Sequence, residues 1–375
     1  MKLENQNILI TSNEPWSDVW FSKHNYAWEL AKNNTVFFVN SPVKWKFSNL
    51  FQNKISAQQI TNKLTVLTLQ NSLPSNLSVL KEINNIIASN KIKRYLKKLG
   101  LASWMLWSFT PLFLFRPKLI KSNFSLFHIM DMNWTNFYGG EILSNQSDCL
   151  VLVSDYILQE YEFCGAPKTV VEHGISSEEF LFEESKMLDV KNEIKNYGPY
   201  GLYVGVVDTR CDFQLIAKMA DSFKAIYFIF IGPINIDAKH PFYFLFNGET
   251  KNIICFGKKP YKELKYYIKL SSFCISPMDM KHPGNDISHH KTLTYLAQGK
   301  PVFSPFFKAY LQTGDLMYLK NNSEELIAGI SNYVNNGEND KLVAERVNFA
   351  KLFLYTNHLK KIETFINTVE LETKK

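Results

Sequence analysis

Short apolar runs alternate with amphipathic stretches along most of the chain. In the first part, Asn7–Thr11 and Thr35–Val39 have the β-branched and aromatic content of strands, and Phe21–Lys32 between them carries apolar residues at helical spacing. Val79–Leu99 is a predicted helix that Gly100 ends. Further predicted strands are Leu64–Leu69, Trp104–Phe109, Leu126–Met130 and Cys149–Ser154. Strands that alternate with helices predict a parallel, doubly wound sheet.

A second series of the same kind begins near residue 200. The stretch before it, Phe180–Tyr200, crowds acidic and basic side chains and closes with Gly198-Pro199, which indicates a linker between domains. The predicted strands of the second series are Gly201–Val207, Ile226–Ile231, Asn252–Phe256, Phe273–Ser276 and Pro301–Phe303. Its predicted helices are Phe213–Ala220, Tyr261–Leu270 and His289–Ala297.

These patterns predict an α/β protein with two doubly wound, Rossmann-like domains that face each other across a cleft. We expect an N-terminal domain over residues 1–180, a linker over 181–200 and a C-terminal domain over 201–350. The length of 375 residues suits two domains, each able to bury a core. Because such sheets bind ligands at the carboxyl ends of their strands, the function is narrowed to transferases, epimerases, dehydrogenases and binding proteins.

Composition favours a globular protein that neither crosses a membrane nor is secreted. Of all residues, 46% are hydrophobic and 21% are charged, and no apolar run approaches the ~18–20 residues that span a bilayer. The cysteines are scattered without a Cys-x-x-Cys pair: Cys149, Cys164, Cys211, Cys255 and Cys274. That spacing argues against a zinc site or a disulfide framework and predicts a reducing, cytoplasmic setting.

The net charge of +7 comes almost entirely from lysine, since only Arg94, Arg116, Arg210 and Arg346 are arginine. Proteins that read nucleic-acid sequence depend on the bidentate guanidinium, so we predict no nucleic-acid partner. The charge predicts a modest attraction for phosphates or for an acidic membrane surface.

The predicted helix Val79–Leu99 ends in a basic cluster of Lys91, Lys93, Arg94, Lys97 and Lys98. One interpretation is contact with an anionic membrane, worth ~1 kcal/mol for each surface lysine. The other is the solvated end of a helix, where the helix dipole favours cations. In the first case the protein is peripheral on the inner face of the cell membrane.

Several well-known phosphate and metal motifs are missing. No Gly-x-Gly-x-x-Gly follows the first strand, and there is no Walker loop, which argues against hydride and phosphate-anhydride chemistry. No Asp-x-Asp pair is available to hold a divalent metal against a diphosphate. We therefore expect no metal and no cofactor. Lysine, a helix N-terminus or backbone amides would neutralise a phosphate.

The stretch Ile287–Val302 is the richest candidate for a phosphate site. Ser288 is a candidate N-cap of the predicted helix, and Lys291 would lie in the first turn. A cation there opposes the helix dipole at a cost of ~0.3–1 kcal/mol. That position is reasonable if the lysine and the free amides face a diphosphate. The alternative is a solvated lysine that tolerates the small penalty.

Motifs along nearly the whole chain resemble those of glycosyltransferases with the GT-B fold. Tyr295-Leu296-Ala297 followed by Gly299-Lys300-Pro301-Val302 is similar to a signature of that family. Other stretches that agree in order and spacing are Leu202–Gly205 with Arg210-Cys211-Asp212, Ile231-Gly232-Pro233, Phe256–Tyr261, and Ser154-Asp155-Tyr156 with Glu172–Ile175 and Phe180. The resemblance implies the GT-B fold, with a C-terminal helix over residues 351–375 that returns to the N-terminal domain.

Within the family, the chain is most similar to bacterial polysaccharide transferases of the teichuronic-acid and xanthan-type glucuronosyltransferase kind. That resemblance implies donor contacts from Val207, Arg210, Lys258, Lys259, Met278, His290, Lys291 and Thr294. It also implies a catalytic aspartate at Asp131. Glu172 and His173 are candidates for contact with the donor sugar or phosphate, with a plain turn as the alternative.

Asp131 suits the role of general base. An inverting transfer needs one carboxylate, ionised near neutral pH, that takes a proton from the acceptor hydroxyl. Retaining transferases of this fold usually show two glutamates eight positions apart, at places held here by Asp286 and Thr294, which argues against a retaining mechanism. The alternative for Asp131 is a loop-capping residue that acts through Asn133.

The first loop carries candidate acceptor residues, Trp16, Trp20, His24 and Asn25. Aromatic faces stack on sugar rings, although tryptophans are more often simply packed in a core.

We therefore predict a metal-independent, inverting glycosyltransferase of polysaccharide biosynthesis. It would move a hexosyl-type sugar from a UDP-linked nucleotide-diphosphate donor to a polysaccharide or lipid-linked acceptor. The C-terminal half would hold the donor and the N-terminal half the acceptor. Two alternatives remain: a nucleotide-sugar epimerase of the same architecture, and a non-catalytic module that binds a sugar or a partner.

Overall fold

The structure is a computed structural model that describes residues 2–18, 20–46, 55–282 and 290–373. It divides into two compact units. Unit 1 comprises Met1–Glu172 together with Tyr355–Lys375, and unit 2 comprises His173–Leu354. Each unit contains a mainly parallel sheet with helices between its strands, so the predicted α/β class with two parallel-sheet domains is confirmed.

Unit 1 is built on a sheet of eight strands. These are β1 Asn7–Thr11, β2 Thr35–Val39, β3 Ser56–Thr61, β4 Leu64–Thr68, β5 Met105–Ser108, β6 Phe124–Ile129, β7 Cys149–Leu152 and β8 Lys168–Val170. Their spatial order is β3-β4-β2-β1-β5-β6-β7-β8, and only the β3–β4 pair is antiparallel. The helices are α1 Ser22–Leu30, α2 Ser78–Lys98, α3 Pro117–Ile120, α4 Gly140–Gln146 and α5 Asp155–Gln159.

Strand β1 lies inside this sheet and is apolar on both faces. Ile8 and Ile10 belong to one core together with Tyr26 of α1. Leu9, which points to the opposite face because side chains alternate along a strand, belongs to a second core with Ile92 of α2. Helices therefore cover both faces of the sheet, as the continuous apolar run of β1 requires.

Unit 2 is built on a sheet of six parallel strands. Its helices and strands, in chain order, are α6 Glu184–Ile194, β9 Tyr200–Val204, α7 Phe213–Ser222, β10 Tyr227–Ile231, β11 Ile253–Gly257, α8 Tyr261–Leu270, β12 Phe273–Ile275, α9 His290–Ala297, β13 Val302–Pro305, β14 Tyr318–Lys320, α10 Ser323–Asn336 and α11 Asp340–Leu352. The strand order is β11-β10-β9-β12-β13-β14, so the chain reverses direction across the sheet between β9 and β12.

The stretch expected to be a linker, residues 181–200, is instead part of unit 2. It contains α6, which packs against α8 and buries Val190 and Ile194. These two side chains lie one helical turn apart, on a helix whose other face carries the charged residues. The high charge of the stretch therefore marks the solvated face of an amphipathic helix, and the units divide at residues 172 and 173.

The chain returns to unit 1 in its last helix, α12 Tyr355–Thr373. Ile362, Ile366 and Val369 of this helix are buried in the same core as Tyr26, and α12 packs against α1. None of the helices in the described ranges is both long and apolar enough to cross a lipid bilayer.

Candidate functional site

In unit 2, two glycines follow the carboxyl ends of the neighbouring strands β9 and β10. Gly205 has a φ of +147° and Gly232 a φ of +145°, conformations that favour glycine. A Cβ atom on Gly232 would lie 2.0 Å from the carbonyl oxygen of Gly205. The two connections therefore pass each other with no room for a side chain. This close approach fixes the course of the segment that carries Val207 and Arg210.

Helix α9 is held at the same edge of the sheet by Tyr295. Its hydroxyl, buried completely, accepts a hydrogen bond from the N–H of Val204 at 2.7 Å. Gly299 ends the helix at a φ of +73°, where a Cβ atom would lie 2.6 Å from Val343. The run that resembles the family signature thus places the first turn of α9, with Lys291, beside the carboxyl end of β9.

The Lys291 ammonium has neutral partners on two sides. It donates to the hydroxyl of Tyr203 at 3.0 Å, and it lies 4.2 Å from the centre of the same ring. The sulfur of Met278 is 3.6 Å away. Tyr203 in turn donates to the carbonyl of Val206 at 2.9 Å. The lysine is therefore held in place by two neutral side chains, neither of which compensates its charge.

Burial lowers the Lys291 pKa to about 8. Within the described ranges no carboxylate lies at ion-pair distance from it, because the nearby Asp208 is engaged by Arg210 in a two-pronged ion pair. A lysine that is half-buried without a counter-ion is suited to an anionic ligand, which would restore its ordinary protonation. The arrangement can therefore bind a phosphate through a single point charge.

Three other predicted donor residues are interior. Val207 is completely buried, and its backbone groups pair with Pro233 and Asn235. Met278 is buried against Lys291, and the hydroxyl of Thr294 donates back to the carbonyl of His290 in its own helix at 3.4 Å. These residues shape the surroundings of Lys291, and their polar groups are already used.

His290 and Glu179, a glutamate that was not predicted from the sequence, both interact with Tyr261. The His290 ring lies 6.3 Å from the Tyr261 ring and hydrogen-bonds the backbone of Gly174, while its Nε2 has no partner in the described part of the chain. Burial lowers its pKa to about 4. Burial raises the pKa of Glu179 to about 7, against the hydrogen bond from Tyr261. Both side chains are therefore poised as neutral groups near pH 6.

The two lysines after β11, Lys258 and Lys259, make no contact with Lys291 among the described residues. Lys259 forms an ion pair with Glu193 of α6 and lies 5.6 Å from the centre of the Tyr267 ring. Lys258 is exposed. Lys259 therefore has a role in holding α6 to the sheet.

Glu172 and His173 fall on different units, since the division lies between them. Glu172 faces Lys361 of α12 at 3.9 Å within unit 1. Asp286 and the candidate N-cap Ser288 lie outside the described residues.

In unit 1, a buried lysine lies beside the predicted base. Lys23 of α1 is only 4% exposed, forms a close ion pair with Glu14, and donates to the Oδ1 of Asn13 at 2.6 Å. Its ammonium is also 3.9 Å from the carboxylate of Asp131. The loop after β1 and the loop after β6 thus contribute charges to one cluster.

Asp131 follows β6, and its side chain is more than half exposed. Desolvation raises its pKa, while the charge of Lys23 lowers it. The backbone N–H of Asn133, which a loop-capping Asp131 would have used, donates instead to Glu160 at 3.0 Å. The carboxylate is therefore accessible, and a raised pKa suits a group that accepts a proton near neutral pH.

The four predicted acceptor residues separate into two pairs. Trp16 and Trp20 are half-buried, with ring centres 5.3 Å apart. His24 and Asn25 are buried: the ring of His24 hydrogen-bonds to Pro15 and to the N–H of Phe21, and Asn25 donates to the carbonyl of Phe21. The first pair can meet a ligand, whereas the second pair holds the start of α1.

Three residues of these sites were not predicted from the sequence: Lys23, Glu179 and Tyr203. Lys23 adjoins His24, which was selected, but a lysine in a predicted amphipathic helix is normally solvated. Tyr203 lies within Leu202–Gly205, one of the stretches that resemble the family. Because its neighbours in β9 are apolar, the sequence did not indicate that its hydroxyl would contact Lys291. Among the described residues, no group of three or more His, Cys, Asp or Glu side chains could hold a metal ion.

No protein-family model and no curated protein sequence matches this chain. Solved structures do. The chain is similar to sucrose-phosphate synthase from Thermosynechococcus elongatus, with 13% identity, a TM-score of 0.70, and coverage of 98% of this chain and 100% of that one. It is also similar to the trehalose-6-phosphate structure from E. coli bound with UDP-2-fluoro glucose, at 12% identity and a TM-score of 0.67, covering 97% and 99% of the two chains.

A third similar structure is Anabaena HepE in complex with UDP-glucose. It is 10% identical with a TM-score of 0.68, and the match covers 97% of this chain and 100% of that one. At these identities the likeness establishes the fold and nothing finer. The chain has the GT-B fold, as its motifs predicted.

Proposed function

We propose that the protein is a glycosyltransferase that uses a UDP-linked sugar, bound to unit 2. The observation that carries the proposal is Lys291: a half-buried ammonium with no carboxylate partner in the described residues, at the carboxyl edge of a doubly wound sheet. Proteins of the same fold include ones bound with UDP-2-fluoro glucose and UDP-glucose. A diphosphate would supply a negative charge beside this ammonium.

For the chemistry, we infer that Asp131 of unit 1 is the general base. Its carboxylate would take the proton from the acceptor hydroxyl while the nucleotide diphosphate leaves from the donor sugar. Direct attack of this kind inverts the anomeric carbon. Lys23 supports the ionised form of Asp131 from a distance of 3.9 Å.

We propose that the acceptor is a saccharide, free as a polysaccharide or linked to a lipid. The half-buried Trp16 and Trp20 offer aromatic faces for a sugar ring. The transfer needs no divalent metal in this account, because lysine serves the leaving diphosphate. All five cysteines are free thiols, which suits the reducing cytoplasm where nucleotide sugars are made.

Contact with the cell membrane is part of the proposal for the lipid-linked case. The exposed apolar residues Val79, Ile83 and Ile86 follow one face of α2 at helical spacing. Lys93 and Lys97 continue that face toward the basic end of the helix. Apolar and basic side chains on one face are the combination that binds anionic bilayers. Co-sedimentation with anionic vesicles, lost on replacing the basic cluster by Gln, tests this contact.

The decisive experiment incubates the protein with labelled UDP-sugars, with and without lipid-linked and polysaccharide acceptors, in the presence of excess chelator. Acceptor-dependent release of UDP with a labelled product supports the proposal. Isomerisation of the sugar without an acceptor would assign an epimerase instead. Binding without any turnover would assign a non-catalytic module, and activity restored only by magnesium or manganese would overturn the metal-independent mechanism.

A further inference from the structure

A cavity of about 300 Å³ lies in unit 1 between α2 and the connections that follow β5 and β6. Apolar side chains form most of its walls: Leu112, Phe113 and Phe115 from one connection, and Phe137 and Tyr138 from the other. The donor, acceptor and catalytic candidates discussed above are not among its lining residues. Its size and lining are those of a site for a small, largely apolar ligand.

One wall of the cavity holds a side-chain amide whose NH₂ group has no partner in the described residues. Asn85 of α2 is 2% exposed, and its Oδ1 accepts the backbone N–H of Phe115 at 3.0 Å. That donor fixes the orientation of the amide, so the NH₂ group is the one left over. Its Nδ2 has no hydrogen-bond partner in the described part of the chain. A buried polar group that is left unpaired destabilises the protein, and a ligand oxygen at this place would supply the missing acceptor.

The neighbouring amide shows that the gap at Asn85 is specific. Asn84 also lines the cavity, yet each of its two polar side-chain atoms has a partner: the Oδ1 accepts from the backbone N–H groups of Ser72 and Leu73, and the Nδ2 donates to the carbonyl of Leu73. Of these two amides, Asn85 is the one whose Nδ2 has no partner among the described residues.

The charged residues at the cavity are of one sign. Lys44 and Lys81 line it, and no aspartate or glutamate does so within the described residues. Neither lysine forms an ion pair in the described ranges, and the nearby Glu82 is paired with Arg116. Within the described residues, the cavity therefore combines aromatic walls with the unpaired Asn85 amide and two lysines that form no ion pair. A ligand that matches these features has an apolar body, an acceptor oxygen and a negative charge.

From these observations we propose that the cavity binds an apolar chain that ends in an anionic oxygen group, either a carboxylate or a phosphate. The chain packs against the phenylalanine walls, a head-group oxygen accepts from Asn85, and the negative charge faces Lys44 and Lys81. This inference goes beyond sugar transfer and does not depend on it, since its test measures binding in the absence of any nucleotide sugar.

The test is calorimetric titration with decanoate, decyl phosphate and uncharged decanol, each kept below the concentration at which it forms micelles. Wild type should bind at least one of the anions and bind decanol more weakly. Asn85→Asp keeps an oxygen for Phe115 but removes the donor and adds a repelling charge, so binding should weaken at least tenfold. Lys81→Gln should weaken it several-fold, whereas the matched control Lys118→Gln, which removes an exposed lysine outside the cavity, should not.

Higher affinity for decyl phosphate would identify the ligand as a lipid phosphate. Higher affinity for decanoate would identify it as a fatty acid. The proposal is overturned if wild type binds neither anion, or if Asn85→Asp and wild type bind equally. Thermal melting of each variant shows whether it is folded. Should Asn85→Asp fail to fold, Ala88→Leu, which fills the cavity without touching the amide, must abolish binding for the proposal to stand.

Discussion

The ammonium of Lys23 lies 3.9 Å from the carboxylate of Asp131, although the lysine is almost completely buried and the aspartate is exposed. Lys23 comes from the helix after β1 and Asp131 from the loop after β6, two strands that β5 separates in the sheet. The lysine is already anchored by Glu14 and Asn13. It therefore presents a fixed positive charge to Asp131, and we regard it as a positioning residue for the proposed base.

Replacing Lys23 by Gln should raise the Asp131 pKa, because the lysine charge lowers that pKa while desolvation and Glu14 raise it. Turnover requires ionised Asp131, so the acid limb of the pH–rate profile should move to higher pH. Lys360→Gln removes an exposed lysine of the same unit and should keep the wild-type profile. An unshifted profile in a Lys23→Gln protein that melts like wild type would contradict this role.

Asp131→Asn should reduce turnover by about 10²–10⁴-fold, the usual worth of a general base, while UDP affinity stays the same. An amide keeps the shape of the side chain but cannot take a proton. Steady-state kinetics and UDP titration measure the two effects separately. The product of the wild-type enzyme should have an inverted anomeric centre by NMR. A retained centre would reject Asp131 as a direct base even if the variant were inactive.

Gly232→Ala should destabilise unit 2 by about 1–3 kcal/mol, because the new Cβ would meet the carbonyl oxygen of Gly205 at 2.0 Å. Gly329→Ala is the matched control. Gly329 lies within α10, where the nearest atoms to an added Cβ are 3.7 Å away, and alanine favours a helix by up to about 1 kcal/mol. Urea denaturation compares the two. Equal urea midpoints for both variants would show that the close approach of Gly232 to Gly205 does not contribute to stability.

Stability should depend on pH through Glu179, whose pKa burial raises to about 7. Because the folded protein holds this proton more tightly than the unfolded chain, stability falls as pH rises from about 4.5 to 7 and stays reduced above that, by at most about 3 kcal/mol. Glu179→Gln should remove that loss, so the variant should be more stable than wild type at pH 8. The control Glu249→Gln removes an exposed carboxylate and should follow wild type. Thermal melting at pH 5 and pH 8 measures both.

Much of the fold was predictable because buried parallel strands leave continuous apolar runs in the sequence. Strands such as Asn7–Thr11 and Thr35–Val39 lie where the pattern predicts them. Strand β3, Ser56–Thr61, was missed because it is a mostly polar, exposed edge strand that pairs with β4. Helix α6 was taken for a linker because its charge is conspicuous, while its two buried apolar residues are not.

The site was predictable only in part. Lys291 could be selected because a cation in the first turn of a helix breaks a local rule, and such breaks often have a functional cause. Lys23 could not be selected in this way. Its partners Glu14 and Asp131 lie 9 and 108 positions away along the chain, and the three residues come together only when the sheet has folded. For other predicted residues, such as His24 and Val207, burial decides whether the side chain can reach a ligand. Burial depends on tertiary packing, which the sequence pattern does not show.

The central claim is a nucleotide-diphosphate site at Lys291, and calorimetric titration of UDP into wild type and Lys291→Met tests it most directly. Wild type should bind UDP with uptake of protons near pH 8, because an anion raises a pKa that burial holds at about 8. Affinity should therefore fall as pH rises above 8. Lys291→Met should weaken binding by roughly 1.5–3 kcal/mol and remove the proton uptake. Failure of folded wild type to bind UDP, or equal binding and equal proton uptake in the variant, would contradict the account.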